Sequence, residues 1–337
     1  MSAAPFCPCA DPRVPPCDGY GLSDSCGLAL STSYGTQGRC GRRQRKEVPG
    51  QEEADMSSSK TRTALGLASV ALGTLATYWA VLATRQDRIM FNTRRSVAGE
   101  LPDGFSTYSH VIPGGLVRGY IYHPEGELAV SDMLVYIPGR GEDVRKTAAM
   151  ATSLPPGLGF AALNYRGVAD SHGLPSEASA VADFCQLTRH LRQAFPHAKL
   201  HLVGRSLGTG VAVQLGAATV FESIQLITPY DSLVEVARKR FPMAPVKWLM
   251  KHQFDSVKHS RTIASRTQVL LAETDDVVEH VRSQRLIDAW PQPPRVERIE
   301  GVNHHSIMAS PATWLSLSSF ARAGGGLVQV QDRVGSI

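Results

Sequence analysis

Three side chains in this sequence have the types and the order that acyl-transfer chemistry needs. Ser206 lies in Gly204-Arg205-Ser206-Leu207-Gly208, directly after the apolar run 200–203 and before the small, apolar segment 211–218. A strand that turns sharply into a helix presents a serine hydroxyl at its apex, and glycines two residues to either side remove side chains that would collide in such a turn. A serine hydroxyl is a weak nucleophile near neutral pH, so it needs a base, and the base needs a carboxylate to orient it. Asp275 follows the apolar run 269–272 and His304 follows the run 296–299, so both come after the serine, each just past an expected strand. Asp276 and His305 are immediate neighbours of the same two types, and the residues themselves leave each pair open.

Attack on a carbonyl creates an oxyanion that needs two N–H donors. The residue after the nucleophile, Leu207, supplies one from the helix start. The loop Pro138-Gly139-Arg140-Gly141, at the end of the run 133–137, places the Arg140 N–H as the second. The side chains of Arg140 and Arg205 face either an acidic group of the substrate or solvent. No step in this chemistry calls for a metal or an organic cofactor.

These residues must be held by an alternation of strands and helices. Residues 108–122 read as a hairpin around Gly114-Gly115. Strands are expected at 133–137, 160–164, 199–205, 224–227, 269–272 and 296–299, and helices at 178–195, from 207 to about 220, at 281–289 and at 311–321. Short connections between alternating elements predict a mostly parallel sheet with helices on both faces. The segment 230–265, with Leu233, Val234, Val236, Phe241, Trp248, Leu249, Met250 and Phe254, is long and apolar enough for a small helical cap, or for packing on the sheet.

The chain of 337 residues is 43% hydrophobic and 19% charged, as a globular protein is, and its net charge of +5 forms no basic stripe, which argues against nucleic acid. Five of the six cysteines (Cys7, Cys9, Cys17, Cys26 and Cys40) precede residue 41 without a Cys-x-x-Cys pair, and Cys185 falls on a helical core face, so neither zinc nor a disulfide framework is expected. Residues 1–62 read as an unstructured tail, with Met56 as an alternative start, and 324–337 as a flexible C-terminal tail. Between the N-terminal tail and the catalytic region 85–323, residues 63–84 form 22 uncharged positions with Tyr78 and Trp79 towards one end. That length crosses the hydrocarbon core of a bilayer, so a single transmembrane anchor is expected. With the whole N-terminus basic residues flank it almost equally, whereas a start at Met56 leaves only Lys60 and Arg62 before it and favours a cytoplasmic catalytic region, so the side stays open.

The run Tyr165-Arg-Gly-Val-Ala-Asp-Ser-His-Gly-Leu-Pro-Ser-Glu177 resembles the Tyr-Arg-Gly-x-Gly-x-Ser-x-Gly-x-Pro-Ser segment of alpha/beta hydrolases. With Thr228-Pro-Tyr-Asp-Ser-Leu233, Phe241-Pro-Met-Ala-Pro-Val246, Phe254-Asp-Ser256 and Gln86-Asp-Arg-Ile-Met-Phe91, the chain over 61–323 is similar to the single-pass membrane-anchored branch. That branch includes lysophospholipid hydrolases, acyl-protein thioesterases and bacterial serine aminopeptidase-like relatives. The resemblance implies an alpha/beta-hydrolase fold with Ser206 as nucleophile, His304 as base and Asp275 as acid. It further implies hydrolysis of carboxylic esters or thioesters of acyl or lipid-like substrates at a bilayer. A peptidase or amidase of the same fold, or an inactive membrane-tethered interaction module, are the other readings. The chain departs from the family pattern at Pro138, Ala169 and Glu279, where His, Gly and Pro are usual.

Overall fold

The computed structural model describes residues 51–93, 100–123 and 130–323, with side chains described from residue 60 onward. Most of the expected N-terminal tail and all of 324–337 lie outside the described residues. The chain divides into two compact units between Tyr78 and Trp79.

Helix α1 (Gln51–Phe91) begins well before the expected anchor and continues past it, so residues 51–62 are helical rather than part of a tail. Its stretch Lys60–Phe91 is a candidate membrane span by length and composition. Leu65, Leu67, Val70 and Leu72 are each at least 63% exposed. A core helix would bury side chains of this kind, whereas a span facing lipid leaves them outward.

The second unit is built on one eight-stranded sheet. The chain enters it through the antiparallel pair β1 (Phe105–Ile112) and β2 (Gly115–Tyr122), then β3 (Asp132–Ile137), α2 (Val144–Ala148), β4 (Leu158–Leu163) and α3 (Glu177–Ala194). It continues with β5 (Lys199–Arg205), α4 (Leu207–Ala218), β6 (Ser223–Ile227) and three short helices, α5 (Leu233–Arg240), α6 (Val246–Leu249) and α7 (Ser256–Ser260). It closes with β7 (Arg266–Thr274), α8 (His280–Asp288), β8 (Arg295–Asn303) and α9 (Pro311–Arg322). The strand order is β1-β2-β4-β3-β5-β6-β7-β8, with β2 antiparallel to both its neighbours and every other pair parallel.

Strands covered on both faces are apolar at successive positions, and alternate side chains serve opposite faces. In β3, Met133, Val135 and Ile137 join Phe184, Leu187, Val211, Leu215 and Leu286 from α3, α4 and α8. Leu134 and Tyr136 join Val144, Ala148, Trp314 and Leu317 from α2 and α9. Helix α2 and the 3-10 turn that follows it have no counterpart in the expected elements, because five residues are too few to show a helical period.

The segment after Tyr230 forms α5–α7 and packs unevenly. Val246 and Phe254 are buried, but Trp248 is 89% and Met243 71% exposed. The end of α1 is docked along this segment within the same unit. The Trp79 indole N–H donates to Met243 O at 2.9 Å, the Gln86 amide donates to Leu249 O at 3.1 Å and accepts from the Lys251 N–H at 2.7 Å, and Asp87 pairs with His252 at 3.0 Å. Phe91 is fully buried, edge-on to Tyr165 with centroids 5.3 Å apart and to Phe254 at 6.3 Å. The last turns of α1 are thus core structure. Phe91→Ala should lower the unfolding free energy of the full chain by about 3–5 kcal/mol, read from denaturant midpoints, the range for emptying a large aromatic site.

Candidate active site

Strand β5 ends at Arg205 and α4 begins at Leu207, with Ser206 between them at φ 49°, ψ −117°. This left-handed backbone costs a non-glycine residue on the order of 1–3 kcal/mol and persists only where its surroundings over-determine it. Here they do. The Ser206 N–H donates to Ile227 O at 2.9 Å, binding the turn to β6. A Cβ on Gly208 would lie 2.2 Å from Ile137 O, and one on Gly204 would lie 2.7 Å from Gly208 O. The two glycines are therefore required by close backbone approach. Ser206 itself remains partly exposed.

Asp275 and His304 converge on this serine from the ends of two adjacent strands. The His304 Nε2 is 2.9 Å from Ser206 Oγ and its Nδ1 is 2.9 Å from Asp275 Oδ2. An ionised carboxylate can only accept, so the imidazole proton belongs on Nδ1, which leaves Nε2 to accept from the hydroxyl. Burial works to raise the Asp275 pKa, but the bond to His304 and the N–H groups of Val278 and Val277 outweigh it and hold the carboxyl below its ordinary value. Those N–H groups reach Oδ1 at 2.7 and 3.0 Å. His304 is carried by a turn in which Asn303 Oδ1 accepts the N–H groups of His305 and Ser306 at 2.9 and 3.0 Å. Asp276 and His305 are both exposed. Neither takes part in this chain of hydrogen bonds.

Leu207 opens α4, where the first N–H groups of a helix have no partner inside it. The loop containing Arg140 lies beside the elbow, since a Cβ on Gly139 would stand 3.6 Å from Ser206 Cβ. The loop is tied down on several sides. The Tyr165 hydroxyl donates to Pro138 O at 2.9 Å, and burial pushes that hydroxyl's pKa well above the usual phenol value, so it stays a donor. The Arg140 Nε donates to Ile89 O at 2.8 Å, and Gly141 is packed so closely on Asn92 that a Cβ would come within 2.4 Å of its amide nitrogen. Arg205 is largely buried, pairs with Glu142 at 2.8 Å and donates to His304 O at 3.1 Å. The Arg205 side chain is thus turned into the protein, neither towards solvent nor free for a substrate, which corrects that expectation, whereas Arg140 is exposed, as its solvent alternative expects. Ala169 has φ 49° and is buried, so the position where the family pattern has glycine is one where alanine bears strain.

A second Ser-His-Asp set shows that distances alone do not make a site. His201 lies 2.8 Å from Ser223 through Nδ1 and 3.0 Å from Asp132 through Nε2, near the N-terminal ends of β6 and β3. His201 and Ser223 are wholly buried, and burial lowers the His201 pKa against the pull of Asp132. No substrate reaches this serine, and its orientation on the imidazole is the reverse of that at Ser206.

A family model for the alpha/beta hydrolase fold matches residues 132–249, which include the loop after β3 and the elbow after β5. The chain has the alpha/beta-hydrolase fold. Among relatives of this chain, an uncharacterized protein of Mycobacterium tuberculosis is 27% identical over 71% of this chain and 86% of its own length. Lysophosphatidylserine lipase ABHD12 of Danio rerio is 27% identical over 64% of this chain and 65% of its own. Among solved structures, the Pyrococcus furiosus esterase Pf2001 superposes with a TM-score of 0.55 at 14% identity, covering 69% of this chain and 99% of that one, a likeness of fold.

The sequence singles out Ser206, Asp275, His304, Leu207 and Arg140 but gives no role to Glu142 or Tyr165. Glu142 lies two residues from Arg140 and Tyr165 opens the Tyr-Arg-Gly run, yet only the folded chain shows which loops they join.

The depressed Asp275 pKa has a definite sign. A carboxyl whose folded value lies below its unfolded value of about 3.9 adds stability that is fully present above that value and is lost as pH falls through the folded value. The stability difference between wild type and Asp275→Asn should be flat from pH 5 to 7 and should shift against wild type below about pH 4, as followed by chemical denaturation.

Proposed function

We propose that this hydrolase cleaves carboxylic ester or thioester bonds through an acyl-enzyme on Ser206. The observation that carries this reading is a partly exposed serine whose Oγ lies 2.9 Å from His304 Nε2, with Asp275 Oδ2 2.9 Å behind Nδ1. In the acylation step Ser206 Oγ bonds to the carbonyl carbon while its proton passes to His304 Nε2. The carbonyl oxygen becomes an oxyanion received by the N–H groups of Leu207 and Arg140. Collapse breaks the bond to the leaving oxygen or sulfur, which takes the proton from His304. Water then repeats the sequence on the acyl-serine, returning Oγ its proton and releasing the acid. Asp275 holds the Nδ1–H tautomer and stabilises the imidazolium that forms in each half.

The substrate class proposed is an acyl or lipid-like ester held near a bilayer. It is supported by the candidate span in α1, by the exposed Trp248 and Met243 on the segment that Trp79 contacts, and by a relative named for lysophosphatidylserine lipase activity. The anchor and the lipid-like substrate belong to one reading, since an amphiphile partitioned into the membrane meets a tethered enzyme at raised local concentration.

Wild-type chain should label covalently with a fluorophosphonate probe, and Ser206→Ala should not. A folded wild type that fails to label overturns the reading. His304→Ala should lose about 10³-fold or more of kcat while His305→Ala stays close to wild type, in turnover of nitrophenyl esters. Across esters of increasing chain length with a matched thioester and anilide, the ester or thioester should be preferred. Faster cleavage of the anilide would replace this reading by an amidase.

A further inference from the structure

The oxyanion loop, the elbow and the His304 turn leave the sheet at the ends of β3, β5 and β8, and one ion pair touches all three. Glu142 receives four donors. Its Oε2 accepts from the Arg205 Nη1 at 2.8 Å and from the Gly139 N–H at 2.9 Å. Its Oε1 accepts from the Tyr136 hydroxyl at 2.8 Å and from the Thr147 hydroxyl. Through Nη2, Arg205 reaches on to the backbone oxygen of His304 at 3.1 Å. The side chains of Arg205 and Glu142 are 14% and 10% exposed.

Stability is a poor reason for this arrangement. A buried ion pair costs several kcal/mol of desolvation per ion and is often matched by apolar residues of similar volume. The Arg205 Nε is itself buried without a hydrogen-bond partner, a further cost that an apolar pair would not carry. What the pair supplies is geometry. Glu142 engages the Gly139 N–H and so fixes the backbone of the loop that carries Arg140. Arg205, the residue before the nucleophile, fixes the backbone of the base.

We propose that Arg205 and Glu142 are positioning residues that lock the oxyanion loop and the His304 turn onto the elbow, and that their mutual neutralisation sets the charge felt by His304. This inference rests on the reading of Ser206 and His304 as nucleophile and base. The charged and titratable groups around His304 are Asp275 from the loop after β7, Arg205 at its backbone oxygen with Glu142 behind it, and His305, whose ring centroid is 5.5 Å away. Removing the Arg205 charge leaves the Glu142 carboxylate uncompensated and favours imidazolium. Removing the Glu142 charge leaves the Arg205 guanidinium uncompensated and disfavours it.

The test is the pH dependence of kcat/KM for nitrophenyl ester hydrolysis by the full chain, with kcat and KM resolved at each pH. Arg205→Met should move the acid limb up by roughly 0.5–1 pH unit and Glu142→Gln should move it down by a similar amount. Arg205→Met/Glu142→Gln should bring the limb back to the wild-type position. All three should lose kcat, by about 10²-fold where the loops are released, with KM changed less than about threefold. A purely structural pair would move the limb in neither direction.

Limbs that stay in place in both single variants, or shift the same way, overturn the proposal. If a single variant does not fold, the double variant, which buries no lone charge, decides. A wild-type kcat in it, or a limb displaced from the wild-type position, overturns the proposal, and a kcat lowered about 10²-fold with KM changed less than about threefold supports it. Failure of wild type itself to turn over or to label with fluorophosphonate would instead sink the underlying serine-hydrolase reading.

Discussion

Everything at the candidate site depends on how closely the start of α4 approaches the strands beneath it. Ser206 can stand above the ends of the strands only because Gly208 lies against Ile137 O and Gly204 against Gly208 O, with no side chain between helix and sheet. The bond from the Ser206 N–H to Ile227 O then fixes the turn to the neighbouring strand. Strain at φ 49° is held by packing on both sides. The same close approach sets the start of α4 beside Ser206, so the packing that positions the serine also places there the Leu207 N–H to which the proposed function assigns the oxyanion.

Around this turn the protein uses two kinds of contact. Apolar packing carries the sheet, with alternate residues of β3 feeding the two opposite clusters. Polar contacts carry the loops at the strand ends, where backbone leaves the ladder and must find other partners. Glu142, Arg205 and Tyr165 each join a loop to another part of the site and bear their polar atoms close to or inside the core, while the exposed Asn303 closes the His304 turn on itself. The His201 set at the other end of the strands shows that similar polar contacts also serve the scaffold where no substrate enters.

Helix α1 has two characters along its length. Through Lys60–Phe91 it is apolar enough to cross a bilayer. At its C-terminal end it also reaches the core, giving Phe91 to the cluster beneath Tyr165 and the Ile89 carbonyl to Arg140. Its last turn therefore borders the loop at which the proposed chemistry takes place.

The alternation of elements, the elbow and the order of Ser206, Asp275 and His304 are legible in the sequence, because strand and helix periods and glycine spacing are local properties. The sequence could not choose between Asp275 and Asp276 or between His304 and His305, since neighbours in one loop share every local signal. Only the tertiary structure separated them, by turning one of each pair inward and leaving the other exposed. It also reversed the expectation for Arg205, whose partner Glu142 is 63 positions away in the chain. No local pattern encodes that pair. It exists because parallel strands bring the ends of β3 and β5 side by side, and a charge placed there must be paired to be buried.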